Sequence, residues 1–473
     1  MATIERQRAD AVGAERPARA GARDPYVLAG VLFAVYAVLS VGRYRDLRTR
    51  SWDLGIFEQA VRSYAELRRP VADLKGADFL ILGDHFSPVT ALLAPFYRVF
   101  PSPVTLLVAQ AALFALAAVP VTRAGVRLLG RVRGLTVGVV FGLSWGVQRA
   151  VDFDFHEICF AVPLIAFSLE ALLRERWRAA LLYALPLVLV KEDLGLTTAA
   201  IALVVAWRAR GRAPRAARAA CGVAALGAAL CALTLGVLIP SFNTLGGYDY
   251  WTKLSEDGGG GGPWAALWAG AGTKAETLLW LLLPTSGLLA LRSPLLLVAL
   301  PTLGWRFVSH EAHYWGTDFH YSAVLMPVLA LALVDALASV EGAPTRWLRD
   351  YARFLPAGLL GATLALLPSL PAAQLTEAET WRPGAVAEEG DRVLRAVPDG
   401  AEVAANVRPI ARLTGRCRVF WIGDPGVAAP EYLAYHDPGR TGDGMVRRAA
   451  QLYPEARYTV LAEGAGYFVL RRE

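Results

Sequence analysis

Long apolar runs, separated by short polar and Arg-rich segments, extend over most of the chain. A run of about 20 apolar residues satisfies its backbone hydrogen bonds within one helix, so it can cross the hydrocarbon core of a membrane. The pattern predicts about eleven membrane-spanning helices, near residues 26–42, 103–122, 134–150, 158–173, 179–191, 194–207, 219–240, 276–291, 294–308, 321–340 and 354–371. Several runs are short, so we expect their helices to extend or to tilt.

The composition agrees with an α-helical polytopic membrane protein. The chain is 55% hydrophobic and 19% charged, with a mean hydropathy of +0.39, whereas soluble domains are about 25% charged. Much of the net charge of +7 is Arg in short loops, which indicates membrane orientation rather than nucleic-acid binding. The four cysteines show no paired spacing, so neither a zinc site nor a disulfide framework is predicted.

Basic residues cluster on alternate loops and thereby predict the orientation of the chain. The Arg-rich loops are assigned to the cytoplasm and lie at 6–23, 123–133, 174–178, 208–218 and 346–353. The opposite short loops carry only scattered cations: Arg149, Lys191, Lys253, Lys274 and Arg306. The N-terminus is therefore predicted to be cytoplasmic, and an odd number of spans places the C-terminal tail outside.

The long first outer loop, about residues 43–102, is predicted to contain interfacial helices. Apolar positions recur there at helical spacing, at Trp52, Ile56, Ala60, Tyr64 and Leu67. Glu58, Arg62 and Glu66 occupy another face, which predicts an amphipathic helix in the interface. Ser87-Pro88 predicts the start of a second helix, with Ser87 as the N-cap.

This pattern divides the chain into three predicted segments. Residues 1–25 are polar and predict a disordered cytoplasmic N-terminus. Residues 26–371 form the predicted transmembrane domain, in which the glycines at 258–262 predict a mobile loop. Residues 372–473 predict a small outer α/β domain, because ARYTVLAEGAGYFVLRRE resembles two strands joined by a glycine-containing turn.

Acids and histidines gather on the predicted outer side of the membrane. The orientation rests on basic residues alone, so this clustering is an independent observation. It predicts one shared site at that interface, although solvated outer loops are the alternative. The candidate residues are Asp53, Asp84, His85, Asp154, His156, Glu157, Lys191, Glu192, Asp193, Arg306, His310, His313, Asp318 and His320.

The first two motifs each allow a chemical and a structural interpretation. Asp53 in SWDLGIFEQ suits a general base or a metal ligand, or it caps the interfacial helix. In GDHFSP, His85 suits a phosphate or a sugar hydroxyl. The alternative is a turn fixed by Gly83 and Asp84.

The next two motifs lie beside apolar runs. DFDFHE at 152–157 supplies Asp154, His156 and Glu157, which suit sugar hydroxyls or a divalent metal ion. KED at 191–193 interrupts apolar sequence, where ionisable residues are costly and usually functional. Lys191 then suits an anionic headgroup. Glu192 or Asp193 would pair with Lys191 or contact the substrate. A solvated surface turn is the alternative.

HEAHYWGTDFHY at 310–321 gathers histidines, acids and aromatic residues. The spacing of His310 and His313 allows a shared helical face. A zinc site is one interpretation, but the HExxH pattern is absent. The aromatic residues suit sugar stacking and interface anchoring equally well.

The motifs follow one another in a characteristic order: SWDLGIFEQ, GDHFSPV, FPSPVTLLVAQ, DFDFHE, KEDLGL, DFHYSAVLMPVL and AVPDGAEVAANVRPIARLTGR. This order resembles the domain of unknown function 2079 family of bacterial membrane proteins. That family is similar to the C-type glycosyltransferases (GT-C), which take sugars from polyprenyl-phosphate carriers. The resemblance implies that Asp53 matches their catalytic acid in the first outer loop. No plain DxD follows the first span, so a divalent metal stays open and no other cofactor is implied.

The resemblance implies an inverting glycosyltransferase in the bacterial plasma membrane, with its acceptor (a glycan, lipid or protein) on the extracytoplasmic face. Asp53 would deprotonate the acceptor hydroxyl. Lys191, Arg306 or His85 would neutralise the leaving lipid phosphate. One alternative is a transporter or flippase of a lipid-linked or small polar substrate, although no clear internal repeat is present. A non-catalytic scaffold that displays the outer tail is the third interpretation.

Overall fold

A computed structural model describes residues 21–243 and 267–473. The described part is a bundle of helices followed by a small α/β part at the C-terminal end. The predicted glycine loop at 258–262 and most of the predicted N-terminal segment 1–25 lie outside the described residues.

The α-helices of the described residues are numbered in chain order. They are α1 Asp24–Arg45, α2 Asp53–Ala65, α3 Ala94–Val99, α4 Pro103–Leu129, α5 Arg131–Gly142, α6 Trp145–Asp152, α7 Ala161–Leu173, α8 Trp177–Ala184, α9 Leu194–Ala209, α10 Pro214–Leu233, α11 Ile239–Phe242, α12 Ala271–Ser286, α13 Leu300–Val308, α14 Ala312–Trp315, α15 Met326–Val340, α16 Arg346–Leu366, α17 Ala378–Trp381, α18 Ala385–Leu394, α19 Val407–Leu413 and α20 Gly442–Leu452. Short 3₁₀ turns extend several of them, and Thr234–Leu238 is a π-helix between α10 and α11.

Every predicted apolar run coincides with helical structure. Five helical segments are long and apolar enough to cross a membrane: Asp24–Arg45, Pro103–Leu129, Pro214–Phe242, Ala323–Val340 and Arg346–Ser369. Shorter apolar helices lie at Trp177–Leu189, Leu194–Ala209 and Pro294–Val308. The structure thus confirms a mainly helical fold with several candidate membrane spans, while the count of about eleven spans stays a prediction.

One predicted span, 134–150, is broken into two helices. The α5 helix ends at Gly142 and α6 begins at Trp145. The Tyr36 hydroxyl donates a hydrogen bond of 2.5 Å to the Gly142 carbonyl, which satisfies an acceptor left free at the helix end. Asp152, the first residue of DFDFHE, ends α6, and the rest of this motif follows in the next loop and turn.

The loop at about 43–102 contains the predicted helix, but both faces of this helix are covered by protein. Both faces of α2 are buried, because the C-terminal part covers the side predicted to be polar. Glu58 is fully buried; its carboxylate accepts hydrogen bonds from the Tyr97 hydroxyl (2.8 Å) and the Thr414 hydroxyl. The amphipathic pattern placed Glu58 on the polar face of an interfacial helix, whereas the structure buries this side chain.

The capping interpretations of this loop are also wrong. Helix α2 begins at Asp53 and has no side-chain cap, and the Asp53 carboxylate accepts instead from the Ser51 hydroxyl. Ser87 precedes a 3₁₀ turn at Pro88–Leu93, but its side chain does not cap that turn. Asp53 is therefore available for contacts outside its own helix.

The C-terminal part contains a five-stranded mixed sheet in the order β2-β1-β3-β5-β4. Its strands are β1 Glu402–Ala405, β2 Arg418–Trp421, β3 Tyr432–His436, β4 Tyr458–Gly464 and β5 Tyr467–Arg472. β1 is parallel to both β2 and β3, whereas β5 is antiparallel to β3 and β4. The predicted hairpin is confirmed as β4–β5.

One face of this sheet rests on the first loop of the bundle. Ile56 and Ala60 of α2 share an apolar cluster with sheet residues such as Val403 and Val419. The Gln59 amide also donates to the Val419 carbonyl at 2.8 Å. This packing holds the carboxyl ends of the parallel strands beside the start of α2.

Candidate functional site

A cavity of about 610 Å³ lies between the start of α2, the loops at one end of the bundle and the C-terminal part. We call it the polar cavity. Most of the candidate residues line it: Asp53, Asp84, His85, His156, Glu157, Lys191, Glu192, Asp193, His313 and His320. The structure thus brings together side chains from five separate segments of the sequence.

Asp53 and His156 face each other in this cavity. Asp53 Oδ2 lies 3.4 Å from His156 Nε2, and the Asp53 side chain is 29% exposed. Burial acts to raise the pKa of Asp53, but the hydrogen bond and charge of His156, with the Ser51 hydroxyl, lower it to about 2. Asp53 is therefore an ionised carboxylate at neutral pH.

His156 is held by the bundle and stacks on a second histidine. Its backbone N–H donates to Gln110 Oε1 of α4 at 3.0 Å. The centroid of its ring lies 3.7 Å from that of the His320 ring, and the two ring planes are nearly parallel. Burial, and then the charge of His156, hold the pKa of His320 well below its usual value, so His320 stays neutral.

The KED motif is a buried ion-pair cluster, so its interpretation as a solvated turn is wrong. Lys191 Nζ lies 3.1 Å from Glu157 Oε1, and these side chains are 13% and 1% exposed. Glu192 Oε1 contacts His85 Nδ1 at 2.9 Å. Burial alone would lower the pKa of Lys191, but the surrounding carboxylates, Glu157 first, raise it.

Asp193 completes this cluster with a different protonation tendency. Burial raises its pKa to about 6, against the charge of Lys191. Its Oδ1 atom is buried and has no hydrogen-bond partner within the described part of the chain. A ligand that donates a hydrogen bond would satisfy this oxygen.

Lys75 is a cavity cation that the sequence analysis missed. Its ammonium group lies 3.2 Å from Asp84 Oδ2 and 5.6 Å from the centre of the Trp52 ring. The sequence does contain a signal, because its cations are almost all Arg and its only lysines are Lys75, Lys191, Lys253 and Lys274. Two of these four, Lys75 and Lys191, line the polar cavity.

The cavity lining also includes residues that were not among the candidates. From the first loop come Arg50, Ser51 and Trp52, and from the loop after α13 come Tyr314 and Tyr321. Val407 and Trp421 come from the C-terminal part. Trp52 and Trp421 meet edge to face at 4.8 Å between ring centroids. Their placement depends on packing between distant segments.

Four candidate residues do not line the polar cavity. Asp154, with a φ of +59°, lies beneath it and accepts from the backbone N–H groups of Arg50 (2.9 Å) and Ser51 (3.3 Å). Asp318 is 68% exposed and lies 4.0 Å from Arg149, and His310 precedes helix α14. The shared helical face predicted for His310 and His313 is therefore not formed.

Arg306 is the fourth, and its predicted contact with a lipid phosphate is wrong. Its side chain is fully buried and donates to the carbonyls of Tyr314 (2.8 Å) and Gly316 (2.7 Å) and to Ser322 Oγ (3.2 Å). All three partners belong to the loop between α13 and α15. Arg306 therefore braces the loop that carries His320.

One wall of the polar cavity is apolar and belongs to a candidate membrane span. Cys231 and Leu235 line the cavity from the segment Pro214–Phe242, and Leu196 of α9 adjoins them. On the same segment Val237 is 54% exposed on the outer surface. The cavity therefore joins a charged cluster to an apolar segment that is long enough to span a membrane, an arrangement that suits an amphiphilic ligand.

No group of three or more His, Cys, Asp or Glu side chains among residues 21–243 and 267–473 is arranged to hold a metal ion. Four acids of the polar cavity are instead paired with a cation or a histidine: Asp53 with His156, Asp84 with Lys75, Glu157 with Lys191 and Glu192 with His85. The zinc and divalent-metal interpretations gain no support from this geometry.

Comparison with known proteins finds a matching family model and solved structures of similar fold. A family model described as "Predicted membrane protein (DUF2079)" matches residues 43–467. No curated protein matches the chain. Among solved structures, ArnT from Cupriavidus metallidurans bound to undecaprenyl phosphate superposes with a TM-score of 0.53 at 13% identity, covering 93% of this chain and 97% of that one.

The apo state of the same ArnT superposes with a TM-score of 0.50 at 12% identity, over the same shares of the two chains. At this identity the likeness concerns the fold. It covers 93% of this chain, so most of the chain has an ArnT-like fold.

Proposed function

We propose, from the premise that the chain belongs to the DUF2079 family of predicted membrane proteins, that it is a GT-C-type glycosyltransferase. Its donor is a sugar carried on a polyprenyl phosphate, and its acceptor approaches from the extracytoplasmic face. The observation that carries the proposal is the Asp53–His156 pair, which lies in a cavity with cations at one side and an apolar wall at another.

Asp53 acts as the base for the acceptor hydroxyl. Its low pKa keeps it ionised, so it accepts a hydrogen bond from the hydroxyl and takes the proton as the new C–O bond forms. His156 orients this carboxylate through the 3.4 Å contact. A single displacement at the anomeric carbon inverts its configuration.

Lys75, Lys191 and His85 stabilise the leaving lipid phosphate. Negative charge grows on that phosphate as the glycosidic bond breaks, and nearby fixed cations stabilise it most in the transition state. Lys75 is held by Asp84 at 3.2 Å, and Lys191 by Glu157 at 3.1 Å. These pairs hold the ammonium groups in place before the donor binds.

The polyprenyl chain lies along the apolar wall made by Leu196, Cys231 and Leu235. That wall belongs in part to the candidate span Pro214–Phe242, so the chain can enter laterally from the bilayer. The bound undecaprenyl phosphate in the ArnT structure of similar fold supports this choice of ligand.

We place the protein in the plasma membrane of a bacterium, with a cytoplasmic N-terminus and an extracytoplasmic C-terminal part. The Arg-rich loops at 123–133, 174–178 and 208–218 support this orientation. The polar cavity then faces the extracytoplasmic side, where the acceptor is located.

The test is sugar transfer by the purified protein in nanodiscs, from a panel of radiolabelled polyprenyl-phosphate sugars. Asp53→Asn should abolish transfer, because it removes the base and keeps the shape of the side chain. Asp443→Asn, an exposed position in α20, is the matched control and should leave transfer unchanged. Full transfer by Asp53→Asn would remove Asp53 as the base. Substrate uptake into proteoliposomes without product formation would favour a transporter.

A further inference from the structure

A second cavity, of about 730 Å³, lies where the C-terminal part meets the first loop of the bundle. We call it the arginine cavity. It is lined by Arg43, Arg48, Thr49, Arg50, Gln374, Glu377, Asn406, Val407, Arg408, Trp421 and His436. Four of these side chains are arginines, and a single one, Glu377, is acidic.

The arginines are only partly neutralised by neighbouring acids. Arg43 and Arg50 share one carboxylate, that of Asp152, at 2.7 and 3.1 Å. Arg408 has no carboxylate within 4.0 Å in the described part of the chain, and its side chain is half-buried. The cavity therefore carries an excess of positive charge at positions that a small anion can reach.

Two buried donors in this cavity lack partners among the described residues. Thr49 is 6% exposed, and its hydroxyl makes no hydrogen bond. Arg48 pairs through Nε with Asp46 and through Nη1 with Glu377, yet its Nη2 is buried and also makes none. Buried polar groups are nearly always satisfied, so these donors indicate a ligand with acceptor oxygens.

The arginine cavity lies at the carboxyl edge of the parallel strands β2, β1 and β3. Asn406 follows β1, Trp421 ends β2 and His436 ends β3. After β1 the chain crosses to β2, which lies on one side of β1, whereas β3 lies on the other side of β1. The neighbouring strands β1 and β3 therefore flank a topological switch point. Two hydrogen bonds of 2.9 Å join Asn406 to the His436 backbone there. Open α/β sheets bind their ligands at such edges.

The arginine cavity and the polar cavity share a wall. Arg50, Val407 and Trp421 line both. Along the first loop, Thr49 lines the arginine cavity and Asp53 lines the polar cavity. The Cα atoms of residues 50 and 53 are at most about 11 Å apart, because an extended chain spans no more than about 3.6 Å per residue. A small sugar can therefore contact both cavities.

We propose that the arginine cavity binds an anionic group, a phosphate or a carboxylate, on the acceptor of the transfer reaction. Arg408 and Arg50 bind the anionic oxygens and Thr49 donates its hydroxyl, which places an acceptor hydroxyl near Asp53. The part of this proposal that concerns the acceptor rests on the proposed function. Binding of an anion, however, can be measured without turnover.

The experiment is calorimetric titration of the full chain in phosphatidylcholine nanodiscs with glucuronate, inorganic phosphate and uncharged glucose. Arg408→Gln and Thr49→Val remove one charge and one donor, and Arg408→Lys keeps the charge. Arg447→Gln, exposed on α20, is the matched control. Thermal unfolding of each variant shows that it is folded.

We expect glucuronate or phosphate to bind and glucose not to bind. Arg408→Gln should weaken binding about ten-fold or more, because a charge-assisted hydrogen bond is lost. Thr49→Val should weaken it less, Arg408→Lys should restore part of it, and Arg447→Gln should bind as the unaltered protein does. The proposal is overturned if charged and uncharged sugars bind alike, or if Arg408→Gln and Thr49→Val both bind normally.

A second arm separates a soluble acceptor from a lipid headgroup. Nanodiscs that contain phosphatidylglycerol should compete with soluble anions, in an Arg408-dependent way, only if headgroups occupy the cavity. Arg408-dependent binding in either arm supports the anion site. Asp53→Asn should bind anions normally although it transfers no sugar. If the unaltered protein binds anions in an Arg408-dependent way but transfers no sugar from any donor, the proposed function is overturned and this site stands.

Discussion

Asp53 Oδ2 lies 3.4 Å from Nε2 of His156, and this contact joins the start of helix α2 to the loop after α6. The histidine is held from behind by Gln110 of α4. The carboxylate therefore has a fixed orientation and a stabilised charge before any ligand enters the polar cavity.

His156→Gln should move the acid limb of the transfer reaction toward higher pH. Burial raises the pKa of Asp53 and His156 lowers it to about 2, so the loss of His156 leaves burial dominant. Activity is then lost at a higher pH as the solution is acidified. The pH profile of kcat/KM measures this shift, and an unchanged acid limb would mean that His156 does not act through Asp53.

Leu235→Trp should raise the KM for polyprenyl-phosphate donors. Leu235 lines the apolar wall of the polar cavity, so a larger side chain there occupies the space proposed for the prenyl chain. Val237→Trp is the matched control, since Val237 lies on the same π-helix and is 54% exposed. Steady-state kinetics with donors of different chain length check this, and equal effects of the two substitutions would contradict it.

Lys191→Met should destabilise the protein by about 3–5 kcal/mol, the usual cost of leaving a buried charge without its partner. Glu157 is 1% exposed and lies 3.1 Å from the lysine, so its carboxylate would be left unpaired. The double variant Lys191→Met/Glu157→Gln should recover part of the loss. Thermal unfolding of both variants in detergent tests the pairing, and strict additivity would contradict it.

Ionisation of Glu58 should make the protein less stable as the pH rises from about 4.5 to about 7. Burial raises its pKa to about 7, against the hydrogen bonds from Thr414 and Tyr97. In this range the folded chain binds more protons than the unfolded chain, so the free energy of unfolding falls with rising pH. The full effect is about 3 kcal/mol at 1.36 kcal/mol per pKa unit.

The measurement for Glu58 is the melting temperature as a function of pH. Glu58→Gln should flatten the fall, because an amide does not ionise. Glu455→Gln, an exposed carboxylate of the C-terminal part, is the control and should keep the slope of the unaltered protein. If Glu58→Gln follows the same curve as the control, Glu58 is not protonated in the folded state.

Gly55→Ala should loosen the contact between α2 and the C-terminal part. A Cβ atom there would lie 2.4 Å from Ile410 Cγ2 and 2.9 Å from Leu74 Cδ1, and overpacking of this kind costs about 1–3 kcal/mol. Gly361→Ala in α16 is the control, because nothing lies within 4 Å of its Cβ. Limited proteolysis should release C-terminal fragments faster from the first variant than from the second.

Much of this architecture could be predicted because it depends on local pattern. Long apolar runs form helices in a bilayer whatever surrounds them, and the β4–β5 hairpin follows from alternating residues around a Gly turn. The alternation of Arg-rich and Arg-poor loops also predicted that the polar motifs lie on one side of the membrane. Antiparallel neighbouring helices bring such loop ends together, so Asp53, His156 and Lys191 were predicted to meet.

The sequence by itself could not decide which polar residues enter the cavity, because side-chain direction depends on packing between distant segments. Arg306 looked available for a phosphate, yet the carbonyls of Tyr314 and Gly316, which follow its helix, accept its hydrogen bonds. Glu58 was predicted on the polar face of an amphipathic helix, yet it is buried beside Tyr97 of α3 and Thr414 of the C-terminal part. The arginine cavity exists only because the carboxyl ends of β1, β2 and β3 pack beside Thr49 and Arg50, which lie more than 300 residues earlier in the chain.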